Sequence, residues 1–170
     1  QDGEPLILLC GELHNSTASS VSYMEEQKTF DNLKAIGLNS VIATASWELV
    51  EPTEGKYNFT EVDYVIKAAR ERQMKVIFIW FGAFKNPFMT YAPTWVKKDV
   101  KRFPRAKDEK GADLEMPCVL SENMMKADAK AYCAFLSHVK EVDFDRTVVM
   151  IQIENEPGIR GTARDYSSLA

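Results

Sequence analysis

The sequence predicts an α/β fold, the N-terminal half (strands one to four) of a (β/α)₈ TIM barrel, and three observations carry that reading. Short continuous apolar runs, of the kind covered on both faces of a parallel sheet, alternate with amphipathic helix patterns. The alternation returns at intervals of roughly 35 residues, the spacing of strand–helix–strand units with right-handed crossovers. Each run also ends in polar or aromatic residues: Glu12-Leu13-His14-Asn15, Trp47-Glu48, Trp80-Phe81-Gly82 and Asn155-Glu156. Barrels put working side chains at the C-terminal ends of several different strands. An open doubly wound sheet would instead offer a glycine-rich phosphate turn, and neither GxGxxG nor GxxxxGK[ST] occurs.

The elements follow in order. Leu6 to Cys10 reads as the first strand. Ser22 with Glu25 fits a capping box opening a single helix that carries Met24, Phe30, Leu33 and Ile36, closed by Gly37 in a left-handed conformation. Ser40 to Ala45 reads as the second strand, and Glu51-Pro52-Thr53-Glu54-Gly55 as a turn-rich loop. Thr60 and Asp63 begin a helix whose Val62, Val65, Ile66 and Ala69 form one apolar face. Lys75 to Phe81 is the third strand. The connection from Gly82 to about Ser121 is far longer than usual, with a short helix near Thr94 to Asp99, and marks a functional loop. A helix from about Asn123 to Lys140 buries Tyr132, Phe135, Leu136 and Val139, and the fourth strand leads from Val148 into Glu154-Asn155-Glu156-Pro157-Gly158.

A whole barrel takes about 250 residues, whereas this chain has 170 and closes on a polar stretch from Arg160 to Ala170. Four strands cannot close, and the last edge would stay unpaired. Residues 1–170 are therefore expected to be the N-terminal part of a longer catalytic barrel, with an independent open four-stranded domain as the alternative. Gln1 in place of Met points to an upstream segment removed or omitted.

Composition narrows the functions. Lys plus Arg number 21 against 25 Asp plus Glu, a net charge of −4 that favours neither nucleic acid nor an anionic membrane. The basic run from Lys97 to Arg105 contains a proline and reads as a solvated loop. Cys10, Cys118 and Cys133 lack CxxC spacing and read as buried free thiols. Two histidines, His14 and His138, without HExxH, make no His-rich zinc site. No run approaches the roughly 20 apolar residues of a membrane span.

Glu156 is the strongest candidate for chemistry. A strand-end glutamate beside an apolar run is placed for partial burial, which raises a carboxyl pKa toward that of a general acid; a helix-capping or salt-bridged glutamate is the plain alternative. Glu154 would share its side of an ideal strand and Asn155 would face the other way, so a joint role for Asn155 and Glu156 needs distortion at the strand's end. Trp47 is either a ring that stacks on a sugar face, beside Glu48, or core packing at the rim. Trp80 carries the same two readings, and Trp95 is a wedge for the long loop. Glu12, His14 and Asn15 cluster where the first strand opens; Lys85 and Asn86 are either ligand donors or surface residues. The sequons at Asn15 and Asn58 are too common to use.

On these residues the chain resembles the retaining glycoside hydrolases of the (β/α)₈ β-galactosidase superfamily, nearest to bacterial members of family 35. Asn155-Glu156 matches that superfamily's Asn-Glu pair at the end of strand four. Trp47-Glu48-Leu49-Val50-Glu51-Pro52-Thr53-Glu54-Gly55 is similar to its Trp-x-x-x-Glu-Pro-x-x-Gly stretch, with Gly11-Glu12-Leu13-His14 on strand one and Ala92-Pro93-Thr94-Trp95-Val96 in the strand-three loop. The Cys-Ala-Glu-Trp-Glu segment of better-known β-galactosidases is replaced by Ile79-Trp80-Phe81-Gly82-Ala83-Phe84-Lys85-Asn86, so that segment's sugar contacts do not transfer.

The resemblance implies hydrolysis of a terminal β-linked sugar, a β-galactoside first, by double displacement. Glu156 would be the general acid/base and Asn155 would contact the sugar 2-hydroxyl. The nucleophile is expected at the end of strand seven, beyond Ala170, so the isolated chain should be inactive. No metal or organic cofactor is required. The expected partner is a carbohydrate, without nucleic acid or stable membrane insertion; homo-oligomerisation stays open. A periplasmic or secreted bacterial location is expected. The alternatives are a catalytically silent carbohydrate-binding barrel and a structural fragment whose aromatics are all core.

Overall fold

The computed structural model describes residues 3–170; Gln1, on which the expectation of an upstream segment rested, lies outside them. The first strand, β1, covers Cys10–Glu12, later than the apolar run before it. Leu6, Ile7 and Leu9 are exposed. Their backbone is held by a side chain instead of a ladder: Leu9 N donates to Asn39 Oδ1 at 2.8 Å, and Asn39 Nδ2 donates to Ile7 O at 2.8 Å. The expected single helix is two, α1 (Val21–Glu26) and α2 (Thr29–Ala35), and Ser20 caps the first by accepting from Tyr23 N. Lys28, at φ 48°, separates them. Met24 and Phe30 lie about 120° apart round a continuous helix; the break lets both reach the core, at 1% and 3% exposed.

Strand β2 (Ser40–Ser46) runs directly into one helical turn, α3 (Trp47–Val50). Helix α4 (Thr60–Glu71) buries Val62, Val65, Ile66 and Ala69 as its periodicity requires, and β3 (Lys75–Phe81) has the expected bounds. The long connection holds α5 (Thr94–Lys98) and an antiparallel hairpin, β4 (Arg105–Lys107) with β5 (Asp113–Pro117), which the sequence pattern did not disclose. Its turn is built by Asp108, whose carboxylate accepts from Lys110 N and Ala112 N, beside Gly111 at φ 81°. Helix α6 (Glu122–Val142) then leads to β6 (Val148–Ile153). The stretch after Arg160 is seated on the hairpin: buried Asp165 accepts from Lys107 N, and Tyr166 N donates to Lys107 O. Cys118 is buried and Cys10 half-buried, but Cys133 is exposed, against expectation.

The parallel sheet has the order β1-β2-β3-β6, with the hairpin apart from it. Its register pairs Val41, Ala43 and Ala45 with Val76, Phe78 and Trp80. That set faces the helices, as Phe78 and Trp80 each meet Phe135 of α6 at 5.5 Å between ring centroids. Pleating therefore turns Ile42, Thr44, Ser46, Ile77, Ile79, Phe81 and Gln152 to the opposite, concave face. The β6 edge is open, with Met150 and Ile153 exposed. This is the N-terminal part of a TIM-barrel wall.

Candidate active site

Parallel pairing brings the C-terminal ends of β1, β2, β3 and β6 to one rim, and the β6 end is the most constrained part of it. Glu154 has φ 60° and Glu156 has φ 42°. Two non-glycine residues in the left-handed region within three positions cost on the order of 1 kcal/mol or more each, and persist only where neighbours over-determine them. The hydrogen bonds that do so are present. Glu154 accepts from Ala83 N at 3.0 Å and from Phe84 N at 2.8 Å. Asn155 Nδ2 donates to Lys85 O at 2.9 Å, and Gln152 Nε2 donates to both Glu154 O and Asn155 Oδ1. The β6 tip is thus tied to residues 83–85 past β3, and the distortion that a joint role for Asn155 and Glu156 needs exists.

The burial expected of Glu156 belongs instead to Glu154. Glu156 is exposed and accepts no hydrogen bond among the described residues. Glu154 is half-buried, and desolvation is the main force pushing its carboxyl up to about 9; the neighbouring Asp128 carboxylate adds to this, and the Phe84 and Ala83 amides oppose it. Asp128, on α6, accepts from Trp80 Nε1 at 2.8 Å and from Ala83 N at 2.9 Å. Gly82 makes the approach possible. A Cβ there would lie 2.5 Å from Asp128 Oδ1, from Glu154 Oε1 and from Trp80 Nε1.

The other candidates divide. Trp47 and Trp80 are both 0% exposed, so the sugar-stacking reading is corrected for each: their rings are core. Trp47 Nε1 donates to buried Glu51 at 2.8 Å, while Trp80 lies on the helix side against Phe135 and Tyr132. Trp95 is the expected wedge, donating to Glu51 O at 3.0 Å and meeting Trp47 and Phe103 edge-on. Glu48 is half-buried and paired with Lys97 at 3.1 Å, which takes Lys97 out of the solvated loop. Glu12 and His14 are exposed at the end of β1, and Asn15 lends its carbonyl to Thr44 Oγ1. Lys85 serves through its carbonyl, and Asn86 Oδ1 accepts from Phe88 N within its own turn. Among the described residues no hydrogen bond or ion pair joins Glu156 to Glu12, His14 or Glu48. Nor do three or more His, Cys, Asp or Glu gather to hold a metal ion.

Gln152, Asp128 and Gly82 did not stand out in the sequence. A polar Gln152 and Glu154 interrupting an otherwise apolar strand was a usable signal. Asp128 gave none, because one acid on a helix acquires its meaning only from what packs against it.

Residues 19–170 match the family model for glycoside hydrolase family 42, β-galactosidase. No curated protein matches. Among solved structures, a catalytic mutant of a family 42 β-galactosidase from G. stearothermophilus is similar over 95% of this chain and 22% of its own, at 18% identity and a TM-score of 0.69. A β-galactosidase from the Antarctic haloarchaeon Halorubrum lacusprofundi matches over 94% and 22%, at 19% identity and 0.66. An exo-β-1,4-mannosidase from an Opitutaceae bacterium matches over 89% and 25%, at 17% identity and 0.64. The chain spans about a quarter of the length of these structures, and at such identities they speak for the fold. The short strand-end motifs pointed to family 35; the model that matches is family 42, so the broader assignment to β-galactosidase-type glycoside hydrolases stands and the family number is corrected.

Proposed function

We propose, for a chain that belongs to the glycoside hydrolase family 42 β-galactosidases, that the protein it forms part of cleaves terminal β-galactosides with retention, using Glu156 as general acid/base. The observation that carries this reading is the place of Asn155-Glu156, at the C-terminal end of the fourth parallel strand of a barrel wall, where such folds keep their chemistry. Exposure of Glu156 on the open rim leaves its carboxyl free to meet a ligand.

In the first step a carboxylate nucleophile, supplied by a barrel strand outside these 170 residues, bonds to the anomeric carbon. The glycosidic C–O bond breaks and Glu156 gives its proton to the departing oxygen. In the second step Glu156 takes a proton from water, whose oxygen displaces the nucleophile and restores both carboxyls. Asn155 is offered to the sugar 2-hydroxyl, with Glu12, His14, Asn15, Glu48, Lys85 and Asn86 around the same rim as sugar-binding candidates. The substrate reaches this site in the periplasm or outside a bacterial cell.

The test is Glu156→Gln in the full-length protein. Turnover of β-galactosides with poor leaving groups should fall by about 10²–10⁴-fold, while substrates with activated leaving groups lose far less in the first step. Equal losses on both substrate types, or unchanged turnover, would remove Glu156 from the role. A panel that includes β-mannosides settles the sugar.

A further inference from the structure

We infer that Glu154 and Asp128 form a proton-sharing clamp that holds the β6 tip against residues 82–85, and that Glu154 is thereby a positioning residue for Glu156. The inference rests on the catalytic reading of Glu156, but its geometry stands independently. Glu154 takes both amide protons of Ala83 and Phe84, and Asp128 takes the Ala83 amide and the Trp80 indole. Two carboxyls converge on a spot that only glycine at 82 leaves open. Like charges so close cannot both ionise, so a proton between them turns repulsion into a hydrogen bond. The immediate chain neighbour, Asn155, is bound to Lys85 O, and Glu156 follows in a left-handed conformation that this anchoring sustains.

The groups facing the pair are few. From α6 come Asp128 and Tyr132, which line a hollow of about 240 Å³ with Glu154 and Trp80. From the segment after β3 come backbone amides and the Lys85 carbonyl. No cation among the described residues pairs with either carboxylate. Charge neutralisation therefore falls to the proton.

The experiment uses the full-length protein and two readouts. In Glu154→Ala, kcat on a poor-leaving-group β-galactoside should drop by about 10²-fold with KM within about threefold, as misplacement of a proton donor produces. Amide exchange at Ala83 and Phe84 should accelerate. Glu154→Gln, which keeps an acceptor for the Phe84 amide and gains a donor toward Asp128 without a titrating proton, while Asp128 still accepts from Ala83 N, should restore most of kcat and the exchange protection at Phe84. It should also remove the loss of protection expected of wild type as pH rises through about 9. Gly82→Ala, which intrudes on the pair from the other side, should copy Glu154→Ala. Unchanged exchange in Glu154→Ala, or a Gln variant no better than Ala, overturns the clamp. Unchanged kcat in Glu154→Ala overturns its positioning role. Wild-type protein that shows the exchange pattern yet cleaves no glycoside would overturn the catalytic reading and leave the clamp standing.

Discussion

Trp47 Nε1 donates to Glu51 Oε2 at 2.8 Å, with the tryptophan 0% and the glutamate 2% exposed. The other carboxylate oxygen accepts from Gly55 N at 2.7 Å, and the Glu51 carbonyl accepts from Trp95 Nε1. This one glutamate ties the turn after β2, its own loop and the long loop after β3 together. It explains the spacing Trp-x-x-x-Glu-Pro-x-x-Gly: four positions span one helical turn, and Gly55, at φ 74°, turns its amide back to the carboxylate.

Glu51→Ala should therefore cost about 1–3 kcal/mol, because it strands the buried Trp47 indole donor, while the exposed Gly55 amide is released to water. Glu51→Gln should cost less, since one oxygen acceptor remains. Chemical denaturation of the full-length variants reads both; equal, negligible losses would mean that the buried network contributes nothing net.

Stability should decline on both sides of a moderately acid pH. Glu154 carries about 9 folded against an ordinary 4.5, so the folded state holds an extra proton between those values. The stabilising contribution is full below about 4.5 and is lost as pH rises toward about 9, at no more than about 1.4 kcal/mol per pH unit. Asp143 works in the opposite sense. Burial pushes its carboxyl up, but the Val148 and Thr147 amides and Arg70 outweigh this and hold it below the ordinary 3.8. Its contribution is present above that value and disappears as pH falls through the lowered one. Unfolding free energy followed from pH 3 to 10 checks both limbs, and Glu154→Gln should flatten the alkaline one alone.

A retaining reaction requires the two carboxyls about 5–5.5 Å apart and releases the β-anomer first from a β-galactoside. Proton NMR of the first product, taken before mutarotation, should show that anomer. The α-anomer appearing first would mean inversion and a carboxyl pair about 6.5–9.5 Å apart.

The alternation of apolar runs and helical faces was enough for β2, β3, α4 and α6, since each is decided by burial of its own pattern. It failed for the β4–β5 hairpin, whose strands are short and polar and whose partners include Lys107 and Asp165, 58 positions apart. It also failed at the break after α1, where the demand that Met24 and Phe30 share one core overrode helix continuity.

For the candidate site, the sequence by itself determined that Asn155 and Glu156 stand at a strand end, because an apolar run followed by Pro-Gly can terminate in few other ways. Only the tertiary structure decided which carboxyl is half-buried and which is exposed. Glu154 meets Asp128 and the Ala83 and Phe84 amides through contacts 26 to 71 positions away in the chain, and Glu156 meets water. The same holds for Trp47 and Trp80: a strand-end tryptophan reads alike whether it faces a ligand or a helix, and packing against Glu51 and Phe135 chose the core. Local pattern fixes where a residue sits along its element; protonation and exposure depend on the groups that distant segments bring beside it.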